Sequence, residues 1–297
     1  MSHIPFTLTA YLFNAFSVLA NKFLLNKTIP DPLIYVFYIS LASLLAVFCL
    51  PFTKIPSFEV FLIASLSTML WTLGAYFMFK ALKIGQVSRV IPIIGTAIPL
   101  ILLSFASGTH AISENQTWAV LILVGGMIFL TLTAWKGKFN MLEIVFEILS
   151  AIGFALAYIL LRQAYLKLDF FSVLIWSRLI LIPFVLVVLT IPTLRNKIIT
   201  SKGLRINFLS KEGFVFLGGQ TSGVISEFLL LFSISLANPA LVNSLQGTQY
   251  IFIFILAILL SRKFPNIFEE KYTLLHLFSK IIGIGLIGFG LYLLSTS

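Results

Sequence analysis

The chain has 297 residues, of which 59% are hydrophobic and only 10% charged, with a mean hydropathy of +1.06. A soluble domain of this length carries about a quarter charged residues, so the surplus apolar surface must face lipid, and a separate soluble domain is excluded. A net charge of +10 would point to nucleic acid in a soluble protein; here Lys and Arg lie between apolar segments, which fits anionic lipid head groups and leaves nucleic acid out.

At about 20 apolar residues per spanning helix, the pattern predicts ten segments and an all-α integral membrane fold. They lie near 5–25, 31–52, 57–82, 87–107, 116–135, 141–166, 170–193, 213–237, 239–261 and 272–295. The breaks carry turn chemistry or charge: Pro30-Asp31-Pro32, Lys54-Ile55-Pro56, Gly85, the stretch from Gly108 to Gln116, Lys136-Gly137-Lys138, Asp169, Asn238-Pro239, and Arg262 to Lys271. Leu194 to Glu212 is the one long hydrophilic loop expected. The first segment has no basic leader and no small-residue cleavage site, so it is expected to remain as a span. The single cysteine, Cys49, excludes an intramolecular disulfide.

Ten spans divide into two halves, 1–138 and 139–297. The junction Ala81-Leu-Lys-Ile-Gly-Gln-Val-Ser-Arg89 matches Ser235-Leu-Ala-Asn-Pro-Ala-Leu-Val-Asn243 at an offset of 154. Each junction leads into a span with Gly and Thr near its start, Gly95-Thr96 and Gly247-Thr248, and each half ends on an acidic loop and a glycine-rich helix. A weaker match at offset 140 sets Asn14 to Val18 against Phe154 to Tyr158 and pairs Lys22 with Arg162. A five-helix unit ends on the opposite side from its start, so the second copy must be inverted, as in alternating-access transporters with a midplane substrate site.

On these features the chain resembles the EamA-type permeases of the drug/metabolite transporter superfamily over essentially its whole length. The resemblance rests on the two halves, the small-residue turns at 81–87 and 235–241, the acidic-loop and glycine-helix endings, and Ala155-Leu-Ala-Tyr158 opening the second half. It implies two inverted five-helix repeats and a small-metabolite permease. The usual Leu-Gly-Glu before the last helix of each half is replaced by Ile-Ser-Glu114 and Ile-Phe-Glu269. The usual proline at the start of the ninth span is missing after Asn243. These departures leave the substrate open.

Two ionisable residues stand at membrane depth. Glu227 lies mid-way along an apolar segment, where a carboxylate is costly unless it faces protein or trapped water, and such residues mark ion or substrate paths. Its functional reading is a cavity site for a cation, an amine or a proton. The competing readings are a structural ion pair, a hydrogen bond between helices, or a shifted span that leaves it shallower. Arg178 lies about eight residues into its segment, roughly 12 Å at 1.5 Å per residue. It must be paired, hydrated or snorkelling, and is read as counter-ion to Glu227 or anchor for a substrate carboxylate.

The fourth and ninth spans form a second polar group. Asn243, Gln246, Gln249 and Tyr250 recur at three- and four-residue spacing, so a continuous helix sets them on one face. Pro92 and Pro99 bracket Gly95-Thr96, which predicts a kink and freed carbonyls there. Asn14 on the first span joins this group, with Ser17 and Asn21 at similar spacing; Trp71 and Tyr76 on the third, and Trp176 on the seventh, offer aromatic surfaces. Packing glue between membrane helices is the competing reading of each. Glu143 is expected at the interface, with Glu147 one turn deeper as a reserve candidate.

Other signals carry little. Gly283-Ile-Gly-Leu-Ile-Gly288 matches a dinucleotide fingerprint by letter but lacks its strand and acidic residue, so it reads as a packing face. His3, His110 and His276 are scattered, and there is no Walker A motif, so no metal, cofactor or nucleotide-driven pump is expected. Charge is lopsided: fifteen Lys and Arg flank one side of the ten-span scheme, and Lys54, Arg162 and Lys167 the other. The positive-inside rule then puts both chain ends outside the cytoplasm, whereas the resemblance implies both inside. The expected function is a secondary permease for a small metabolite in the cell (inner) membrane, by alternating access, either proton-coupled through Glu227 or by plain exchange. Its partners are the bilayer, a small-molecule substrate and, in the coupled case, a proton; association into a homo-oligomer is left open. The alternatives are a lipid translocator or non-transporting subunit and, less favoured, an enzyme on a lipid-linked substrate. The last would need clustered acid/base groups, and the two aspartates, Asp31 and Asp169, sit at loop edges.

Overall fold

A computed structural model describes residues 3–27, 31–85, 87–105, 113–131, 140–200, 211–261 and 274–296. Among them every regular element is helical. In chain order these are α1 (Ile4–Lys27), α2 (Pro32–Ser43) continuing as a 3-10 segment (Leu44–Phe52), α3 (Phe58–Ile84), α4 (Val87–Phe105), α5 (Glu114–Thr131) and α6 (Met141–Lys167). Then follow α7 (Phe170–Trp176), a 3-10 segment (Ser177–Ile180), α8 (Leu181–Thr190), α9 (Pro192–Thr200), α10 (Lys211–Leu236), α11 (Pro239–Ser244), α12 (Gly247–Ser261) and α13 (Leu274–Thr296). Among the described residues six stretches are long and apolar enough to cross a membrane: Ile4–Asn21, Pro32–Phe52, Phe58–Ile84, Met141–Lys167, Phe170–Thr190 and Gly213–Leu236. By length and composition this is an all-α, multi-pass membrane protein.

The helix starts follow from cap chemistry. Asp31, Ser57, Asn140, Asp169 and Asn238 each accept a hydrogen bond from a backbone N–H two or three residues on, and Pro32 and Pro239 occupy first-turn positions where no N–H is needed.

Two expectations about continuity are corrected. The seventh span is not one helix: α7 stops at Trp176 and helical hydrogen bonding tightens to 3-10 before α8. Pro183 lacks the N–H that would bond back to Leu179 and its ring crowds that carbonyl, which accounts for the break. The ninth span is broken too, at Leu245-Gln246, where N–H groups bond three residues back instead of four. The fourth span, in contrast, runs as one helix through Pro92 and Pro99. Within the long hydrophilic loop, α9 forms from Pro192; residues 201–210 of that loop, like Lys136-Gly137-Lys138, His110 and Arg262 to Lys271, lie outside the described residues.

Close antiparallel pairs build the bundle: α3 on α6, α1 on α10, and α5 on α13. Where α3 crosses α6, a Cβ on Gly153 would stand 3.0 Å from the Cα of Gly74 and 3.1 Å from its nitrogen, so the two backbones touch. In the α5–α13 pair, Gly126 faces Gly283 and Ile287 while Gly290 faces Leu123. Gly285 and Gly288 have open space beside them, so only part of the glycine run packs. The α1–α10 register is set by Ala20 against Gly219, Ser17 against Gly223 and Phe6 edge-on to Phe232.

These antiparallel registers place Ile4 and Thr296 on one rim, together with the Lys54–Asp169 and Lys167–Glu59 ion pairs. The opposite rim carries α9, whose Lys197 lies 3.4 Å from Asp31. Glu143, expected at the interface, stands in the first turn of α6 and is 2% exposed. It lies over Gly85, where a Cβ would come within 2.1 Å of its Oε1; the missing side chain at the end of α3 makes the space.

Candidate functional site

Between α3, α6, the Ser177–Ile180 segment and α10 lies a small cavity. Each helix contributes one stripe at helical spacing: Ser67, Thr68 and Trp71 from α3; Ala157, Tyr158 and Leu161 from α6; Glu227 and Leu231 from α10. The 3-10 segment adds Ser177 and Arg178. The walls are tied together, since Ser67 Oγ donates to the Ala157 carbonyl at 2.8 Å across the α3–α6 crossing. An aromatic wall runs along α3 and α6, with Trp71 edge-on to Phe154 at 5.8 Å and Phe154 stacked on Tyr158 at 6.4 Å.

Both sequence-singled charges reach this cavity. Arg178 is 9% exposed, held there by the tightened turn that Pro183 imposes. The carboxylate of Glu227 feels its positive charge. Even so, among the described residues the two form neither an ion pair within 4.0 Å nor a hydrogen bond. Two further polar groups are held in this field: the Trp71 indole N–H, which is turned toward the Tyr158 hydroxyl, and the Tyr165 hydroxyl, which has no hydrogen-bond partner and senses both charges.

The second polar group forms on the other side of the bundle. Asn14 Nδ2 and Gln246 Nε2 both donate to Gln249 Oε1, at 3.3 and 3.4 Å. The Gln249 side chain is fully buried and its own Nε2 has no hydrogen-bond partner. Tyr250 Oη donates to the Ile91 carbonyl of α4 at 3.0 Å, an approach open only because position 95 is glycine; a Cβ there would lie 2.0 Å from that hydroxyl. Thr96 is half-buried on the next position of α4. Asn243 does not join the group, because its Nδ2 donates to Pro239 of its own helix at 2.9 Å.

Tyr11 stands between the two groups. It donates to the Val242 carbonyl at 3.3 Å and is electrostatically coupled to both Tyr158 and Tyr250. With Ser17 against Gly223, the antiparallel α1–α10 register sets Asn14 level with Ser226, beside Glu227. The polar groups thus share one depth in the bundle. Toward the α9 rim, Tyr35 Oη donates to Asn21 Oδ1 at 2.5 Å and accepts from Gln220 Nε2 at 2.8 Å.

Of the predicted residues, Glu227, Arg178 and Trp71 share the cavity, and Asn14, Gln246, Gln249 and Tyr250 share the second group. Tyr76 lies in neither; its ring carries Lys80 Nζ at 4.7 Å. Trp176 donates to Thr53 at the rim, and Glu147, fully buried on α6, does not line the cavity. Sequence reasoning missed Ser67, Thr68, Ser177, Tyr11 and Tyr165 as site residues, and saw Tyr158 only as part of a motif. The dense hydroxyl run Ser65, Ser67, Thr68 and Thr72 around Trp71 was the available signal for the α3 wall.

No family model matches the chain, and no curated protein matches it. Among solved structures 27 chains match. One, a crystal structure, superposes with a TM-score of 0.66 over 99% of this chain and 98% of its own length, at 13% identity. That likeness is one of fold: the whole helical arrangement, end to end, is one that an experimentally solved protein adopts.

Proposed function

We propose that the chain is a secondary permease that moves a small metabolite across the cell (inner) membrane by rocking two inverted five-helix halves about the Glu227 cavity. The observation that carries this is the pair of opposite charges, Glu227 and Arg178, lining one cavity inside an apolar bundle. Charges at membrane depth are costly, and those that persist mark substrate or ion pathways.

The packing supports two related halves. With the second 3-10-interrupted span counted as one span and the broken ninth as another, exchanging the halves turns the α3–α6 pair into the α10–α1 pair and maps α5–α13 onto itself. The second and seventh spans, equivalent under that exchange, both carry 3-10 segments. Both ends of the described chain on one rim suit ten crossings. EamA-type permeases, which the sequence resembles, share this plan. Proton coupling through Glu227 and plain exchange are the two modes this site allows.

The test is solute flux into proteoliposomes. The permease reading expects protein-dependent uptake of a small solute that Glu227→Gln alters, in rate or pH dependence, at unchanged monodispersity in detergent. Lipid scrambling in the same vesicles without solute flux would replace it with a lipid translocator.

A further inference from the structure

We infer that two ion pairs, Asp31–Lys197 and Asp169–Lys54, are matching clasps at opposite rims that open in turn as the halves rock. The inference rests on the permease reading and adds which contacts shut each rim. The second and seventh spans pack side by side and antiparallel: α2 lies against α8, and the Leu44–Phe52 segment against α7. Each span begins at an aspartate cap, and the two aspartates divide their oxygens in the same way. Asp31 Oδ1 accepts from the Leu33 N–H at 3.0 Å, while Oδ2 lies 3.4 Å from Lys197, beyond the end of the seventh span. Asp169 Oδ1 accepts from the Ser172 N–H at 3.0 Å, while Oδ2 lies 4.0 Å from Lys54, just past the end of the second. Either pair joins one half of the chain to the other, and exchanging the halves turns one pair into its counterpart.

The rim of the chain ends is fastened at further points beside its clasp. Trp176 Nε1 donates to Thr53 Oγ1 at 3.0 Å, and the Lys54 N–H donates to Ser172 Oγ at 2.9 Å. Between the clasps runs the Ser177–Ile180 segment, which brings Arg178 to the cavity, so parting the two spans at either end moves a cavity wall. Both pairs are made in this structure, and Ser67 and Thr68 on the cavity wall are buried. The Lys54 and Lys197 side chains are 79% and 59% exposed, and exposed pairs are weak. Weak pairs bias a rim toward closure without locking it, which suits contacts broken and remade in every cycle.

The experiment uses the full chain in a Cys49→Ala background, with Thr68→Cys as reporter on the cavity wall. Proteoliposomes captured through a tag at the chain ends hold that rim outward. A charged, membrane-impermeant thiosulfonate added outside then reaches residue 68 only through the chain-end rim, and reagent sealed inside only through the α9 rim. Asp31→Asn and Asp169→Asn keep a cap oxygen and drop the charge. Asp31→Asn should speed labelling from inside by about two- to fivefold, the weight of one exposed ion pair, without raising labelling from outside; Asp169→Asn should do the reverse. A rise from both sides alike, from neither, or on the wrong side overturns the inference and leaves the permease reading to the solute-flux test. No labelling from either side in any form, when the unfolded protein labels fully, overturns both. Should an aspartate variant fail to reconstitute, Lys197→Gln and Lys54→Gln, which touch no cap, make the same comparison.

Discussion

Glu227 of α10 and Arg178 of the 3-10 segment line one cavity, coupled by charge but not joined as an ion pair. Removing either charge leaves the other without its counter-charge in a poorly solvated place. The single variants Glu227→Gln and Arg178→Gln should therefore each destabilise more than the double variant does. A double-mutant cycle on thermal unfolding in detergent should give a coupling of about 1–3 kcal/mol; additive effects would mean that water, not each other, balances the two groups.

The Gly74–Gly153 contact fixes how closely α3 and α6 approach, and with it the width of the cavity. Gly153→Ala places a Cβ 3.0–3.1 Å from the Gly74 backbone, which cannot rotate away. Overpacking of this kind costs about 1–3 kcal/mol. A fall in unfolding temperature is expected, with a larger fall for Gly153→Val. Unchanged melting for both would show that the helices cross elsewhere.

At Gly95 a built Cβ lies 2.0 Å from the Tyr250 hydroxyl oxygen and 2.6 Å from Gln246 Cδ. Gly95→Ala should lower both stability and flux, and the double variant Gly95→Ala/Tyr250→Phe should recover part of the loss because it removes the clashing oxygen. Tyr250→Phe alone gives up one neutral hydrogen bond to Ile91, a cost of about 1 kcal/mol. No recovery in the double variant would place Tyr250 away from α4.

At the rim, the Asp169 carboxyl is pushed up by its partial burial but held net below the usual Asp value by hydrogen bonds from Ser172 and by the nearby Lys54 charge. A depressed folded pKa contributes stability that is present above the unfolded value near 3.8 and is lost as pH falls through the lower folded value. Asp169→Asn keeps a cap but removes the charge, so unfolding curves of wild type and variant should converge as the pH drops below about 4. A gap that persists in acid would assign Asp169 a purely steric role.

Some of this was legible in the residues because it rests on chemistry that stands out against an apolar background. A charge inside a hydrophobic run is conspicuous, so Glu227 and Arg178 could be picked without structure. Asp31, Asp169 and Asn238 mark helix starts through their caps. Hydroxyls are different. Thr72 and Thr68 show why: a Thr in a membrane helix can spend its hydroxyl on its own backbone, as Thr72 does on Thr68 at 2.7 Å, so Ser67 and Thr68 look ordinary until the fold opens a cavity beside them. The break at Leu245-Gln246 has no proline to announce it, and Asn243 was grouped with Gln246 only on the premise of a continuous helix. The burial of Glu143 could not be read from its place near the helix start, because the space over Gly85 that takes it in is a tertiary feature.

Solvent access at position 227 tests the account most directly. In a Cys49→Ala background, Glu227→Cys in proteoliposomes should react with a charged, membrane-impermeant thiosulfonate, and a cavity-filling solute should slow that reaction. Reaction with a lipid-soluble maleimide only, with no effect of the charged reagent from either side, would mean that residue 227 faces acyl chains.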